Sequence, residues 1–233
     1  MEHFNWLQLL SFVKHEQLHV WTGIAAAVFL ILFSFVGRWA LGSGEKALEP
    51  SGKFSIKGIM EAFIEFIVGL NDLVIGEEGR NFVPMFAALF FFILINNLVG
   101  IIPGMTPPTD NLNTTVGLGL LSFLLYNFYG IKEHGWSYLK HFMGPVLWLA
   151  PLMFAIEIVS HCIRPLTLGL RLYGNILADH TVVSVFVDMF SPVWLIPVPV
   201  IFYGLSIFIS VVQAFVFTML SMIYISMATA HDH

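Results

Sequence analysis

Apolar residues in this chain gather in long runs broken by short polar stretches. Residues 20–37 (VWTGIAAAVFLILFSFVG) give 18 positions without a charge. That is enough to cross ~30 Å of hydrocarbon as a helix. Arg38 and Trp39 close the run as interfacial residues do. Residues 81–102 predict a second span with Asn96 and Asn97 inside it, placed to hydrogen-bond between helices, and residues 116–131 predict a shorter third. Residues 145–187 and 193–227 predict two long apolar helices joined by a turn at 188–192. Wholly helical, these would measure ~60 Å and ~50 Å. They must therefore tilt strongly, kink or project beyond the bilayer.

Residues 54–75 follow a different rule. Ile56, Ile59, Met60, Phe63, Phe66, Ile67, Leu70 and Val74 recur at helical spacing, while Lys57, Glu61, Glu65 and Asp72 take the other face. A spanning helix would bury those four charges. The segment predicts an amphipathic helix in the membrane surface, packed against other protein, or both. Residues 1–19 form an N-terminal surface segment. Polar connections follow at 41–53, 76–80, 103–115 and 132–144.

Composition agrees with this pattern. The chain is 58% hydrophobic and 11% charged, against about 45–50% and 25% in soluble domains. The expected fold is an all-α polytopic membrane protein forming a single membrane domain. It has about five membrane-embedded helices plus one interfacial amphipathic helix, and the last two helices are long, strongly tilted and form a hairpin. The single cysteine, Cys162, excludes an internal disulfide. Residues 1–20 carry Glu2, Lys14 and Glu16 without a small-residue cleavage site, so no cleaved leader is predicted. Nothing reads as a nucleic-acid surface. Basic residues flank 38–80 and 132–144 and are missing from 103–115 and 188–192. This places the N-terminus outside and the C-terminus in the cytoplasm.

One segment breaks the apolar pattern. EIVSHCIRPLTLGLRLYGNILADH, residues 157–180, lies between apolar runs yet holds Glu157, His161, Arg164, Arg171, Asn175, Asp179 and His180. A charge at mid-membrane costs ~2.5–3.5 kcal/mol on insertion scales. Two arginines at that depth need a reason. At about 100° per residue, Glu157, Ser160, Arg164, Thr167, Arg171 and Asn175 fall within one stripe about 80° wide. His161 and Asp179 lie at its edge and His180 opposite. Pro165 could kink the helix and smear these angles. A plainer alternative is a structural seam in which Arg164 pairs with Glu157 and Arg171 with Asp179.

RPLTLGLRLYGNILADH, residues 164–180, resembles the most characteristic segment of subunit a of the F-type ATP synthase. SIFISVVQAFVFTMLSMIYISMA, residues 206–228, resembles the last helix of that subunit, and ILINNLVGIIPG, residues 93–104, resembles a third family segment. The matches lie in the family order and cover roughly a third of the chain. The resemblance implies a stator subunit of a rotary motor in a bacterial plasma (inner) membrane, with the same orientation. Partners implied are a rotor ring of small carboxylate-bearing hairpin subunits (subunit c), the peripheral-stalk subunit b and membrane lipid. It implies no cofactor, no metal and no catalytic site of its own. Arg171 takes the position of the family's essential arginine, and Glu157, Asn175, His180 and Gln213 match half-channel positions. Some relatives place an acid where this chain has His180 and a histidine where it has Ser206. The imidazole has moved to the arginine helix, which leaves open how Asp179 and His180 share the work.

Physical chemistry gives these residues a task. A carboxylic acid buried in lipid is held neutral by desolvation. A guanidinium within ~4 Å attracts its ionised form by ~4 kcal/mol at an effective dielectric near 20, equivalent to about three pKa units. Arginine cannot release its own proton there. Arg171 would act as a fixed gate served by two access paths that do not connect. The candidates to line them are Glu157, Asn175, Asp179, His180, Gln213 and Ser206. Two other readings compete. A secondary transporter or channel using Arg171 as an anion site predicts a paired repeat, and none is visible. A haem-carrying redox subunit needs two adjacent histidines, but His161 and His180 stand ~28 Å apart along one helix. The sequence holds no nucleotide-binding loop.

Overall fold

In a computed structural model, residues 17–41, 55–102, 104–135, 150–190 and 198–229 are described. The N-terminal segment and much of the expected connections at 41–53, 132–144 and 188–192 lie outside those residues. Six α-helices carry the described chain: α1 (Leu18–Leu41), α2 (Ile56–Val74), α3 (Val83–Val99), α4 (Leu112–His134), α5 (Ala150–Phe190) and α6 (Val198–Thr229). Five of the described helical segments are long and apolar enough to cross a membrane. The protein is an all-α, multi-pass membrane protein. Its helices form two compact units, Met1–Pro108 and Thr109–His233.

In the first unit α1, α2 and α3 pack on one another. Leu18, Thr22 and Ala26 form the buried edge of α1, and the Thr22 hydroxyl donates to the Leu18 carbonyl at 2.7 Å. From Ile31 to Val36 every side chain of α1 is exposed, as hydrocarbon allows. The amphipathic segment forms α2. Ile67 and Asn71 are fully buried, while Phe63 and Phe66 meet Phe91 and Phe90 of α3 edge to face. Ile59, Ile64 and Leu73 stay exposed, so the apolar face of α2 is only partly covered by protein. The expected polar turn at 76–80 tightens into a 3-10 helix, Glu77–Phe82. Gly76 enters it at φ 94°, where a side chain would be strained. Arg80 grips both oxygens of Asp72 at 3.1 and 2.7 Å and holds its carboxyl below the usual carboxylate range.

Asn96 and Asn97 were expected to bond between helices. Asn96 instead donates to the Phe92 carbonyl of its own helix at 2.6 Å, and its oxygen has no partner. Both polar atoms of the buried Asn97 also lack one among the described residues.

The second unit positions the polar segment. Helix α4 starts earlier than expected, at Leu112, because Asn111 caps it by accepting from the Asn113 amide at 2.9 Å. Helix α5 runs unbroken through Pro165 to Phe190, past the expected end at 187. Helices α4, α5 and α6 pack as a three-helix bundle. The α4–α5 crossing depends on missing side chains. A Cβ on Gly169 would stand 2.8 Å from the Thr115 oxygen and from the Val116 Cα, and one on Gly119 would strike the Pro165 carbonyl. Small residues let helix backbones touch in this way.

That crossing gives a direct prediction. Gly169→Leu forces α4 and α5 apart and costs about 1–3 kcal/mol or more. It should sharply lower the amount of folded protein recovered from membranes. Gly117→Ala, where a Cβ meets nothing within 4 Å, should not. Equal recovery of both variants would refute the close crossing.

Candidate functional site

Helix α5 has two unlike faces. His161, Pro165, Leu168, Gly169, Leu172, Ile176 and Asp179 are buried, and their three- and four-residue spacing forms the face packed on α4 and α6. Relative to Arg171 that face centres about 100° around the helix. The polar stripe therefore runs along the edge of the packed face. Ser160, Thr167, Arg171 and Asn175 count as exposed, and Glu157 and Arg164 are half-buried. Thr167 turns its hydroxyl back to the Arg164 carbonyl at 3.0 Å.

Three polar rungs tie the edge to α6, which runs antiparallel. Asn175 Nδ2 donates to Gln213 Oε1 at 2.7 Å. One turn further along α5, Ser206 Oγ donates to Asp179 Oδ1 at 2.9 Å, with the Phe202 carbonyl also within reach at 3.1 Å. At the other end, the Arg164 guanidinium lies 5.6 Å from the centre of the Tyr224 ring and its Nη2 sits 3.6 Å from Glu157 Oε1.

The plainer alternative thus holds for one arginine and fails for the other. Arg164 is paired with Glu157. Asp179 is not paired with Arg171, because the carboxylate turns into the interface and takes the Ser206 hydroxyl instead. Among the described residues Arg171 has neither an ion pair nor a hydrogen bond from its side chain. It is an exposed cation flanked, one turn away, by the hydrogen-bonded amides of Asn175 and Gln213.

His180 lies half-buried on the far side of α5, as the helical angle predicts. Its charge acts on Asp110, which belongs to no periodic pattern in the sequence. Asp110 closes the short 3-10 turn Pro108–Asp110, and its Oδ1 is buried without a hydrogen-bond partner among the described residues. Burial pushes the Asp110 carboxyl above its ordinary range, and the charge of His180 opposes that rise. Three groups thus gather at this end of the bundle: Asp110, His180 and the Asp179–Ser206 pair. Nothing in the spacing of a Pro/Thr/Asn stretch marks Asp110; only the fold brings it to α5.

A second cluster was also missed. His161 Nε2 lies 2.8 Å from Asn127 Oδ1, and the Tyr126 hydroxyl lies 3.2–3.3 Å from both ring nitrogens. Tyr126 and Asn127 sit in the shorter span, where one aromatic and one amide carry no signal by themselves.

A raised carboxyl has a definite effect on stability. Folding disfavours the ionised form of Asp110, so the residue costs stability above the range where an unfolded carboxyl titrates, about pH 4. Below that range the cost disappears. Asp110→Asn should raise the thermal midpoint of the purified protein at pH 7 and leave it nearly unchanged at pH 4. A variant that is no more stable at pH 7 would contradict the buried carboxyl.

Known proteins give this arrangement its context. Residues 19–226 match the family model described as ATP synthase A chain. A protein of Bdellovibrio bacteriovorus named ATP synthase subunit a is 55% identical over 231 residues, 99% of each chain. One of the same name from Trichlorobacter lovleyi is 42% identical over 235 residues, covering 97% of each. Another from Geobacter sulfurreducens is 44% identical over 206 residues, 88% of this chain and 85% of that one. A five-span apolar architecture, an arginine-centred polar stripe and near full-length similarity converge, and the chain belongs to the ATP synthase A chain family.

Proposed function

We propose that Arg171 is the electrostatic gate of a proton-translocating stator, and that the polar groups on either side of it along α5 line two separate half-channels. The partner surface in this reading is a rotor ring whose subunits each bring a buried carboxylic acid past the exposed face of α5. Near the guanidinium the ionised carboxylate is favoured by about 4 kcal/mol, and its proton leaves. Because arginine keeps its own proton, the cation separates the two paths rather than joining them.

One observation carries this reading. Arg171 is an exposed cation within an apolar helix and has no partner of its own among the described residues, while the neighbouring Arg164 is neutralised by Glu157. A cation left open at that depth is free to meet a charge brought by another protein. The placement of the flanking groups supports the rest. Asp179, Ser206, His180 and Asp110 lie beyond Arg171 toward the C-terminal end of α5, beginning eight residues or ~12 Å away. Glu157 lies on the other side. Asn175 and Gln213, held by each other, stand beside the gate. With the N-terminus outside, the first group opens to the exterior and Glu157 to the cytoplasm of a bacterial inner membrane. The peripheral-stalk subunit b and lipid cover the remaining apolar surface.

The gate is tested in membranes carrying the complete complex. Arg171→Ala should abolish ATP-driven proton pumping, a loss of at least about a hundredfold for ~3 kcal/mol of missing stabilisation. Arg164→Ala should reduce it only a few-fold, since that cation already spends its charge on Glu157. Near-normal pumping by Arg171→Ala would refute the gate.

A further inference from the structure

The interior of the α4–α5–α6 bundle holds a chain of polar groups that the rotor-facing stripe does not use. The antiparallel register that sets Asn175 against Gln213 and Arg164 near Tyr224 brings the level of Arg171 to Phe217 and Thr218 on α6. Thr218 is fully buried and its hydroxyl has no partner among the described residues. Three residues on, Ser221 accepts from Ser122 of α4 at 2.8 Å and donates to the Phe217 carbonyl at 3.0 Å. One turn further along α4 stands the buried Tyr126, beside Tyr224 and in contact with His161. Hydroxyls thus recur every three or four residues from the level of the gate to a buried imidazole, spacings of ~4.5–6 Å that a single water molecule can bridge.

The imidazole is oriented. Asn127 donates an amide hydrogen to the Phe123 carbonyl at 2.8 Å, and its oxygen accepts from His161 Nε2–H at 2.8 Å. Nδ1 is then the unprotonated nitrogen, 3.3 Å from the Tyr126 hydroxyl, which lies 3.2 Å from Nε2 as well. Four residues before His161 on α5 comes Glu157, the group nearest the inner end of the helix.

Resting on the gate reading above, we propose that the inner half-channel runs inside the bundle, along Thr218, Ser221, Ser122 and Tyr126 to His161, with hydrated protons as its cargo. A proton taken up from water at the Tyr126 oxygen displaces the hydroxyl proton onto His161 Nδ1, giving an imidazolium. The imidazolium returns one proton through water to the Glu157 carboxylate one turn away, and tyrosine and imidazole recover their starting forms. Among the described residues, the charged and titratable groups around His161 are Glu157 and Arg164 on its own helix, Tyr126 from α4 and, beside Tyr126, Tyr224 from α6. Phe123 packs on the ring without titrating.

The test is passive proton conduction through the membrane sector, in vesicles from which the catalytic head has been stripped, measured across neutral pH. Tyr126→Phe keeps the ring and removes only the hydroxyl. His161→Gln keeps hydrogen bonding and removes titration. Each should slow conduction about tenfold or more, the scale of a lost proton-transfer group. His161→Gln should also flatten the dependence on pH in the range where imidazole titrates. Phe123→Leu, which alters packing alone, should conduct within about twofold of the parent and keep its pH profile. Parent-like rates and profiles in both Tyr126→Phe and His161→Gln would overturn the internal route. The gate would survive that result, because it is judged by Arg171→Ala alone.

Discussion

A guanidinium placed within the hydrocarbon has to be compensated, and in the second unit nothing among the described residues compensates Arg171. An unpaired cation at that depth is costly, so the fold must hold it there against the drive to find a partner. It does so by occupying the competitors. Asp179, the acid that a simple seam would give it, is turned into the α5–α6 interface and bonded to Ser206. Glu157 is taken by Arg164. Asn175 gives its amide hydrogen to Gln213 rather than wrapping the arginine.

The packing that achieves this is plain helix physics. Gly119 and Gly169 let α4 and α5 meet backbone to backbone around Pro165, which fixes the rotation of α5 about its axis. Once that rotation is set, Leu168, Leu172 and Ile176 take the buried face, and Arg171 is left on the open one. A rotation of about one residue's angle would carry the arginine into the bundle. The small residues of the crossing and the charge on the face are thus parts of one arrangement, a close contact on one side that presents a cation on the other.

Much of this was legible in the residues. Uninterrupted apolar runs gave the spans, and the 3.6-residue period of 54–75 gave α2. The stripe through Glu157, Arg164, Arg171 and Asn175 followed from helical angles, because a helix that continues through Pro165 keeps its phase. What the sequence could not give was pairing across helices. Asp179 was ranked as a possible partner of Arg171 on helical proximity alone, yet a serine 27 positions away outcompetes the arginine through α6. Asn96 and Asn97 were expected to bridge helices, whereas Asn96 bonds within its own helix and Asn97 finds no partner. Asp110, Tyr126 and Asn127 carry no periodic signal, and their importance arises only from what the bundle folds against them.

The most direct test of this account is a density map of the intact membrane sector, read at Arg171. The account predicts a carboxylate from a neighbouring subunit within about 4–6 Å of the guanidinium, the range in which one charge shifts another's ionisation strongly. It also predicts Asp179 still bonded to Ser206. A guanidinium found paired with Asp179 or Glu157 of its own chain, or facing only lipid, would contradict it.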